Sequence, residues 1–165
     1  MAELKIAIKA RNHLWATFFV MGISSMAWVP RIPEIKEQLN YGDGAFGFIF
    51  LAGAVGSVLG AQISGRAIHL IASRTFMRLT SITMSIGIFM MGSAHGASTL
   101  VIGLFLTGLS FSALDVAANV QAMAIEKLTK ARYMSSFHAM WSIGAFAVTL
   151  VGGILARILT PSEHL

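Results

Sequence analysis

The chain has 165 residues, of which 56% are hydrophobic and 12% are charged, whereas a soluble domain usually carries about 25% charged residues. This composition excludes an ordinary water-soluble globule. Twelve Lys and Arg against seven Asp and Glu give a net charge of +5, but the cations lie between apolar runs and form no basic stripe, so we expect no nucleic-acid partner.

Five apolar stretches are long enough to cross a membrane, which takes about 20 helical residues. They predict an all-α, polytopic integral membrane protein with five transmembrane helices in one domain, residues 1–165, embedded in a lipid bilayer. Span 1 runs past the usual length of a signal peptide and has no small-x-small cleavage site, so we expect it to be permanent. Spans 1 to 5 cover about residues 12–30, 44–64, 76–94, 99–125 and 134–158.

The connections between the spans carry helix-breaking and capping residues. Pro30 and Pro33 interrupt the pattern after span 1, and residues 32–39 predict a short amphipathic helix or turn. Asp43 is a predicted cap for span 2, since a carboxylate accepts backbone N–H groups at a helix start.

Basic residues near the span ends predict the orientation, because Lys and Arg concentrate on the cytoplasmic side. One side of the predicted topology carries three times as many of them as the other. The protein is therefore predicted to be a multi-pass protein of the cell (inner) membrane, with its N-terminus in the cytoplasm and the C-terminus of this chain outside. The cytoplasmic set is Lys5, Lys9, Arg11, Arg66, Arg74, Arg78, Lys127, Lys130 and Arg132, and the outer set is Arg31, Lys36 and Arg157.

Small residues recur every four positions in span 2, at Ala52, Gly56 and Gly60. Glycine lets two helix backbones approach closely, which favours tight packing in lipid. We expect packing within the chain, and a dimerisation face is the alternative.

Span 4 carries a polar stripe. Asp115 is the only acidic residue well inside a predicted span, and Ser112 and Asn119 share its helix face. A charged side chain at that depth costs at least about 2.5 kcal/mol on insertion scales, so it should face a cavity or a partner. A carboxylate bonded to a neighbouring helix is the structural interpretation, and a proton or substrate site is the functional one.

Span 5 begins with His138, Trp141 and Ser142 on one helix face. Histidine can titrate near neutral pH, and tryptophan offers a flat apolar face with one N–H donor, which suits a sugar ring. These residues are equally typical of anchors at the membrane interface.

Signatures of enzymes and metal sites are missing from the sequence. It contains no phosphate-binding glycine loop, nucleophile elbow or metalloprotease motif, and no two of the five histidines have ligand spacing. Cysteine is absent as well. We therefore expect no enzyme activity, no cofactor and no metal.

Several segments resemble a known family. Residues 115–122 (DVAANVQA) and 134–144 (MSSFHAMWSIG) are similar to helices 4 and 5 of fucose-permease-like members of the major facilitator superfamily. Residues 28–36 resemble the end of helix 1 in that group, and residues 53–78 resemble helix 2, the inner loop and the start of helix 3.

The resemblance implies a secondary active transporter, proton-coupled and working by alternating access, for a sugar or another small polar solute. Asp115 would accept the proton or substrate, Asn119 would be its hydrogen-bond partner, and His138, Trp141 and Ser142, with Ser112 nearby, would shape the cavity. Inner-loop gating would involve Gly60, Arg66, Arg74 and Arg78. The superfamily commonly has an Asp in this loop, four residues after the glycine of helix 2, where this sequence has Ser64.

The resemblance also implies a size mismatch, because such transporters have twelve helices in two halves, each half a pair of inverted repeats. Five spans match only helices 1 to 5. A complete cavity would need the missing C-terminal helices or a second chain. The alternative is a truncated or helper membrane protein without transport activity of its own.

Overall fold

The computed structural model describes residues 2–165, with the side chains from Leu4 onward, and its regular structure is helical. A 3₁₀ turn, Val29–Arg31, lies between the first two α-helices. The α-helices are α1 (Ala2–Met26), α2 (Ile32–Leu39), α3 (Asp43–Ala67), α4 (Ser73–Gly92), α5 (Ala97–Thr129), α6 (Met134–Leu155) and α7 (Pro161–His164).

Five long helices match the five predicted spans, but the ends differ. Span 1 was predicted to continue to Pro30, whereas α1 ends at Met26. The reason is steric, because the Pro30 ring clashes with the helical carbonyl four residues earlier, which is that of Met26. The predicted short helix over residues 32–39 is confirmed as α2, which is followed by Asn40 in a left-handed conformation (φ 54°).

The prediction that Asp43 caps span 2 was wrong. Gly42 occupies the cap position of α3, with no side-chain capping bond, and the Asp43 carboxylate instead pairs with Lys36 across the connection. A flexible lysine seven residues earlier thus competes successfully for the carboxylate.

Helix length and hydropathy separate the five long helices into two groups. Within residues 2–165, α3, α5 and α6 are long and apolar enough to cross a membrane. The other two, α1 and α4, have 25 and 20 residues and are less apolar, so the five-crossing topology remains a prediction for them. The 33 residues of α5 extend about 50 Å, well beyond the roughly 30 Å hydrocarbon core of a bilayer.

The helix packing centres on α5, which contacts α3, α4 and α1, while α6 packs on the far side of α1. Contacts between α5 and α6 are few. The bundle therefore consists of a three-helix unit, α3, α4 and α5, and a two-helix unit, α1 and α6, joined mainly where α1 meets α5.

Glycines explain how closely α3 approaches α5. A methyl group on Gly56 would overlap the Phe105 carbonyl, and one on Gly60 would overlap that of Leu109. Buried Ser64 also donates to the Ala113 carbonyl at 2.9 Å. The expected packing within the chain is thus observed, and Gly56 and Gly60 are covered and not free for a dimer face.

Three apolar clusters fill the interior, and the smallest, Phe76, Ala113 and Ala117, lies between α4 and α5. The first, which we term the inner cluster, lies where α1, α5 and α6 meet, and the second joins α2, α3, α4 and α5 at the opposite end. The inner cluster is Leu14, Phe18, Met21, Leu114, Ala118, Ala122, Ile125 and Phe137, and the second is Ile35, Phe46, Ile49, Met91, Ala94, Leu100 and Leu104.

Candidate functional site

The polar stripe predicted on span 4 lies on one face of α5, where Ser112, Asp115 and Asn119 are all half-buried. The Asn119 amide donates to the Asp115 backbone carbonyl at 2.9 Å, one helical turn away. Ion pairs within residues 4–165 join Arg31 to Glu34 and Lys36 to Asp43, so the Asp115 carboxylate has no cationic partner there.

The three residues predicted on span 5 divide between two environments. His138 and Ser142 are exposed, and the Ser142 hydroxyl donates to the His138 carbonyl at 3.1 Å. Trp141 is half-buried and packs against the inner cluster. Its indole Nε1 is buried without a hydrogen-bond acceptor among residues 4–165. An unmatched buried donor is uncommon in proteins and calls for an explanation.

Asp115, predicted to accept the proton or substrate, and His138, predicted to shape the cavity, lie on neighbouring helices. The imidazole of His138 lies close enough to the Asp115 carboxyl to interact with its charge. It also packs edge-on against Phe18, with the ring centroids 5.3 Å apart. Asp115 and Asn119 on α5 and His138 on α6 thus belong to the two helices at which the two units of the bundle touch least.

The predicted inner-loop residues are not gathered in one place. Gly60 is sealed within the α3·α5 crossing, and exposed Arg66 lies at the end of α3. Arg74 and Arg78 line a groove between α1 and α4 instead, together with His13. The groove lies about 100° around α5 from Asp115, because its wall includes the preceding residue, Leu114.

Sequence reasoning missed a cluster around a fully buried arginine. The Arg31 guanidinium donates to His164 Nδ1 at 2.8 Å, to Glu34 Oε2 at 2.6 Å and to the Leu155 carbonyl at 3.4 Å. We term these four residues the outer clasp. It joins the end of α1 to α6 and to α7, which packs on α4, so it ties the two units of the bundle together.

Burial and the Arg31 charge lower the pKa of His164 below its ordinary value. The neutral imidazole that results is the form whose Nδ1 can accept a hydrogen bond. The one feature of the sequence that could have indicated the clasp is Glu34, which lies in α2 and follows Arg31 by three residues.

A second missed cluster holds the opposite end of α1 to α6. The Arg11 guanidinium lies 4.6 Å from the ring centre of Trp15 and 5.1 Å from that of Tyr133. Trp15 Nε1 donates to Ser136 Oγ at 2.9 Å. The Glu126 carboxylate accepts the N–H groups of Tyr133 and Met134, at the start of α6. Trp15 is therefore a packing residue between α1 and α6.

Among residues 4–165, no group of three or more His, Asp or Glu side chains is placed to hold a metal ion. The candidate site is thus a pair of titratable groups with amide, hydroxyl and indole neighbours between two helices.

Comparison with known proteins assigns the family. Residues 14–161 match the family model described as Major Facilitator Superfamily. The chain belongs to this superfamily. The match confirms the predicted family and the all-α multi-pass membrane fold.

Relatives in the superfamily carry transporter names. The chain is 33% identical over 147 residues to an uncharacterized transporter of Sinorhizobium fredii. The matched region covers 88% of this chain and 39% of the relative. The chain is 27% identical to an uncharacterized MFS-type transporter of Yersinia pestis, covering 86% of this chain and 36% of that protein. It is 25% identical to sodium-dependent glucose transporter 1 of Homo sapiens, covering 92% of this chain and 29% of that protein.

The chain thus spans between 29% and 39% of the length of these relatives. No solved structure matches it.

Proposed function

We propose that the chain forms the first five membrane helices of a proton-coupled secondary transporter for a sugar or another small polar solute. The observation that carries this proposal is the Asp115 carboxylate, half-buried on α5 with no cationic partner in residues 4–165 and with His138 nearby on α6. An acid at this depth is costly and marks a functional site in most membrane proteins.

Alternating access would move this part of the protein against the further helices that complete the cavity, and the sparse contact between α5 and α6 would allow a smaller adjustment within the bundle. Each of these helices is fixed firmly to a different partner, α5 to α3 and α4, and α6 to α1. A small movement between the units would change the distance between Asp115 and His138 without disrupting either unit. Proton binding at Asp115 would then favour one arrangement over the other, which is the requirement for coupling.

The solute site would be formed by Asn119, Ser112 and Ser142 with the indole of Trp141. The amide and the hydroxyls donate and accept hydrogen bonds, and the unmatched Trp141 Nε1 offers a further donor. A flat ring with one polar group suits a sugar. Glucose appears in the printed name of the human relative, which supports the choice of sugars for the first screen.

The cavity would be completed by further helices of the complete protein or by a second chain, since the superfamily encloses its solute between two halves. The cytoplasmic N-terminus, the inner membrane and the inner-loop roles of Gly60, Arg66, Arg74 and Arg78 belong to this proposal. Arg74 and Arg78 are exposed at the basic end, free of ion pairs among residues 4–165.

The test is uptake of radiolabelled sugars by cells that express the complete reading frame, with Asp115→Asn as the variant. We expect gradient-driven uptake to be lost, while exchange of labelled for unlabelled sugar across the membrane persists. Asp43→Asn is the matched control, since this carboxylate is exposed at the start of α3, and it should retain uptake.

Other outcomes separate the alternatives. Loss of both uptake and exchange would assign Asp115 to solute binding, and unchanged uptake would remove it from the mechanism. Uptake that follows a sodium gradient and ignores a proton gradient would replace the proton with sodium, the ion in the human relative's name. A properly inserted protein that transports neither the sugars nor other small polar solutes would favour the helper interpretation.

A further inference from the structure

The outer clasp attaches α7 to the rest of the bundle through one fully buried arginine. The Arg31 guanidinium divides its bonds among three helices. Nε donates to His164 of α7, Nη1 to Glu34 of α2 and Nη2 to the Leu155 carbonyl of α6. Each of these donors has its own partner in the planar group. Arg31 can therefore lose its bond to α7 and still be held by α2 and α6.

The His164 imidazole is half-buried and fits closely against α6. A Cβ atom added to Gly152 would lie 3.2 Å from His164 Cε1 and 3.0 Å from the Pro30 ring. Nδ1 accepts the Arg31 Nε–H group at 2.8 Å. Only a neutral imidazole has a lone pair on Nδ1 for this bond. Protonation therefore removes the hydrogen bond and places a second cation against Arg31.

Two acidic side chains lie at the clasp, and both have other partners. Glu34 is paired with Arg31 at 2.6 Å. Glu163 is part of α7 itself, and its carboxylate accepts the N–H and the hydroxyl of Thr160 at 2.8 Å each. Neither carboxylate is thus free to neutralise a protonated His164.

The neighbouring long helices add no charge at this end. Residues 79–92 of α4 and 139–155 of α6, which form the outer parts of these helices, contain no charged or titratable side chain. Burial and the Arg31 charge already lower the pKa of His164. Two like charges in contact repel each other strongly where little water lies between them. The closed clasp is therefore compatible with the neutral imidazole and not with the charged one.

The short helix α7 is the element that repulsion within the clasp releases. It has four residues, Pro161–His164, and its other attachments are buried Pro161 and the packing of Leu165 on Gly92 of α4. Arg31 keeps its bonds to α2 and α6. Breaking one hydrogen bond and a few apolar contacts requires less free energy than exposing a buried guanidinium group and its partners.

We propose that the outer clasp is a proton-sensitive latch, in which protonation of His164 releases α7 from Arg31 and loosens the contact between the two units at their outer end. The closed latch ties the end of α1 to α7, which packs on α4. The predicted topology places this end outside the cell, so the latch responds to the external pH. It uses neither Asp115 nor His138 and is independent of the proposed transport function.

The test measures the distance between α2 and α7 at two pH values. The chain has no cysteine, so Gln38→Cys with Ser162→Cys places one spin label on an exposed residue of each helix. Pulsed electron paramagnetic resonance on the full chain in lipid nanodiscs gives the distance distribution at pH 7.5 and at pH 5. We expect the ratio of long to short distances to rise at pH 5 by up to about thirtyfold, the limit for an open form with an ordinary histidine pKa near 6.5.

Two variants of His164 change the response in opposite directions. His164→Gln can accept from Arg31 without titrating, so its distances should be the same at both pH values. His164→Lys carries a cation at both pH values and should show the long distances already at pH 7.5. The replaced side chain is half-buried in a four-residue helix, so both variants should keep the fold of the long helices.

Gln38→Cys with Ser98→Cys is the matched control pair. Ser98 is exposed at the start of α5, and α2 and α5 meet in the second apolar cluster, not through the clasp. The control distances should not change with pH. A pH-independent distance between α2 and α7, or an equal response in His164→Gln, would overturn the proposal. An equal change in the control pair would also overturn it, because the bundle would then be loosening as a whole.

Discussion

Two helix crossings hold the bundle together, and in both of them glycines at corresponding positions face a carbonyl of the partner helix. Where α3 meets α5, a side chain on Gly56 would overlap the Phe105 carbonyl, and one on Gly108 would overlap that of Gly53. Where α6 meets α1, Gly144 faces the Phe19 carbonyl in the same way, and Gly22 faces that of Trp141. In both crossings the paired positions are three residues apart on each helix. The first and fourth long helices thus correspond, as do the second and fifth.

The crossings differ in what surrounds the glycines. The α3·α5 crossing continues as a close backbone contact through Gly60 to Ser64, whose hydroxyl bonds the Ala113 carbonyl. The α1·α6 crossing instead passes into an aromatic cluster, with Phe18 and Phe137 stacked at 5.5 Å. Backbone contact requires small residues along its whole length, whereas stacked rings tolerate slight changes of angle.

This difference indicates where the bundle is able to move. Each candidate site helix, α5 or α6, is the partner in one crossing, and the two hardly touch each other. Movement is therefore expected between the crossings and not within them. The candidate site residues Asp115 and His138 belong to α5 and α6, the helices on either side of that boundary.

The largest effect should follow from breaking a crossing. We expect Gly56→Leu to destabilise the fold by about 3 kcal/mol or more, because the new side chain has to separate two backbones. Gly144→Leu should destabilise the fold less than Gly56→Leu, since the aromatic cluster of α1 and α6 can stay packed. Unfolding by SDS titration in mixed micelles measures both.

Gly65→Leu is the control for these variants, because nothing lies within 4 Å of a Cβ atom added at this exposed position. It should unfold like the unmodified chain or be slightly more stable, given the poor helix propensity of glycine. If Gly56→Leu and Gly144→Leu lowered the free energy of unfolding equally, the aromatic cluster would not help the α1·α6 crossing to accommodate a larger side chain.

A smaller effect should separate the hydrogen bonds of the two crossings. Ser64→Ala removes a fully buried bond and should cost about 1 kcal/mol, the upper range for such bonds in membranes. Trp15→Phe removes the bond to half-buried Ser136, where water can replace it, and should cost about half as much. The same SDS titration applies.

Thr149→Ala provides the reference, since its exposed hydroxyl bonds only the Ala145 carbonyl of its own helix. If Trp15→Phe lowered the free energy of unfolding more than Ser64→Ala, the α1·α6 crossing and not the α3·α5 crossing would be the tighter one.

Sequence periodicity predicted the helices well and their ends less well. The alternation of polar and apolar residues over 32–39 predicted α2 within one residue, because prolines and an amphipathic pattern both act locally. The end of span 1 was wrong because a hydropathy pattern follows side chains, and the Pro30 ring acts on a carbonyl four residues earlier. The last turn of α5 was missed because Glu126 and Lys127 are polar yet remain helical.

Half of the candidate site could be predicted from helical periodicity. Ser112, Asp115 and Asn119 share a face by helical spacing alone, and so do His138 and Ser142. That Trp141 would pack on the inner cluster, and that Arg31 would be buried, depended on contacts with residues more than 100 positions away. An arginine in a connection resembles a surface charge until its distant partners are known.

The smallest expected effect concerns the outer clasp, which joins the two units at the end opposite the aromatic cluster. Arg31 Nε donates to His164 Nδ1, so the bond exists only while the imidazole is neutral. Burial, followed by the Arg31 charge, lowers the pKa of His164 from its ordinary value near 6.5. The unfolded chain therefore binds this proton more readily than the folded chain. The stabilisation is complete above about pH 6.5 and is lost as the pH falls through the lower, folded pKa.

His164→Gln should remove this pH dependence, because an amide oxygen can accept from Arg31 without titrating. We expect the thermal midpoint of the unmodified chain to fall more than that of the variant between pH 7.5 and pH 5. The control is His95→Gln, an exposed histidine in the α4–α5 turn that lies outside the clasp and should leave the slope unchanged. Parallel slopes for all three proteins would mean that protonation of His164 does not weaken the clasp.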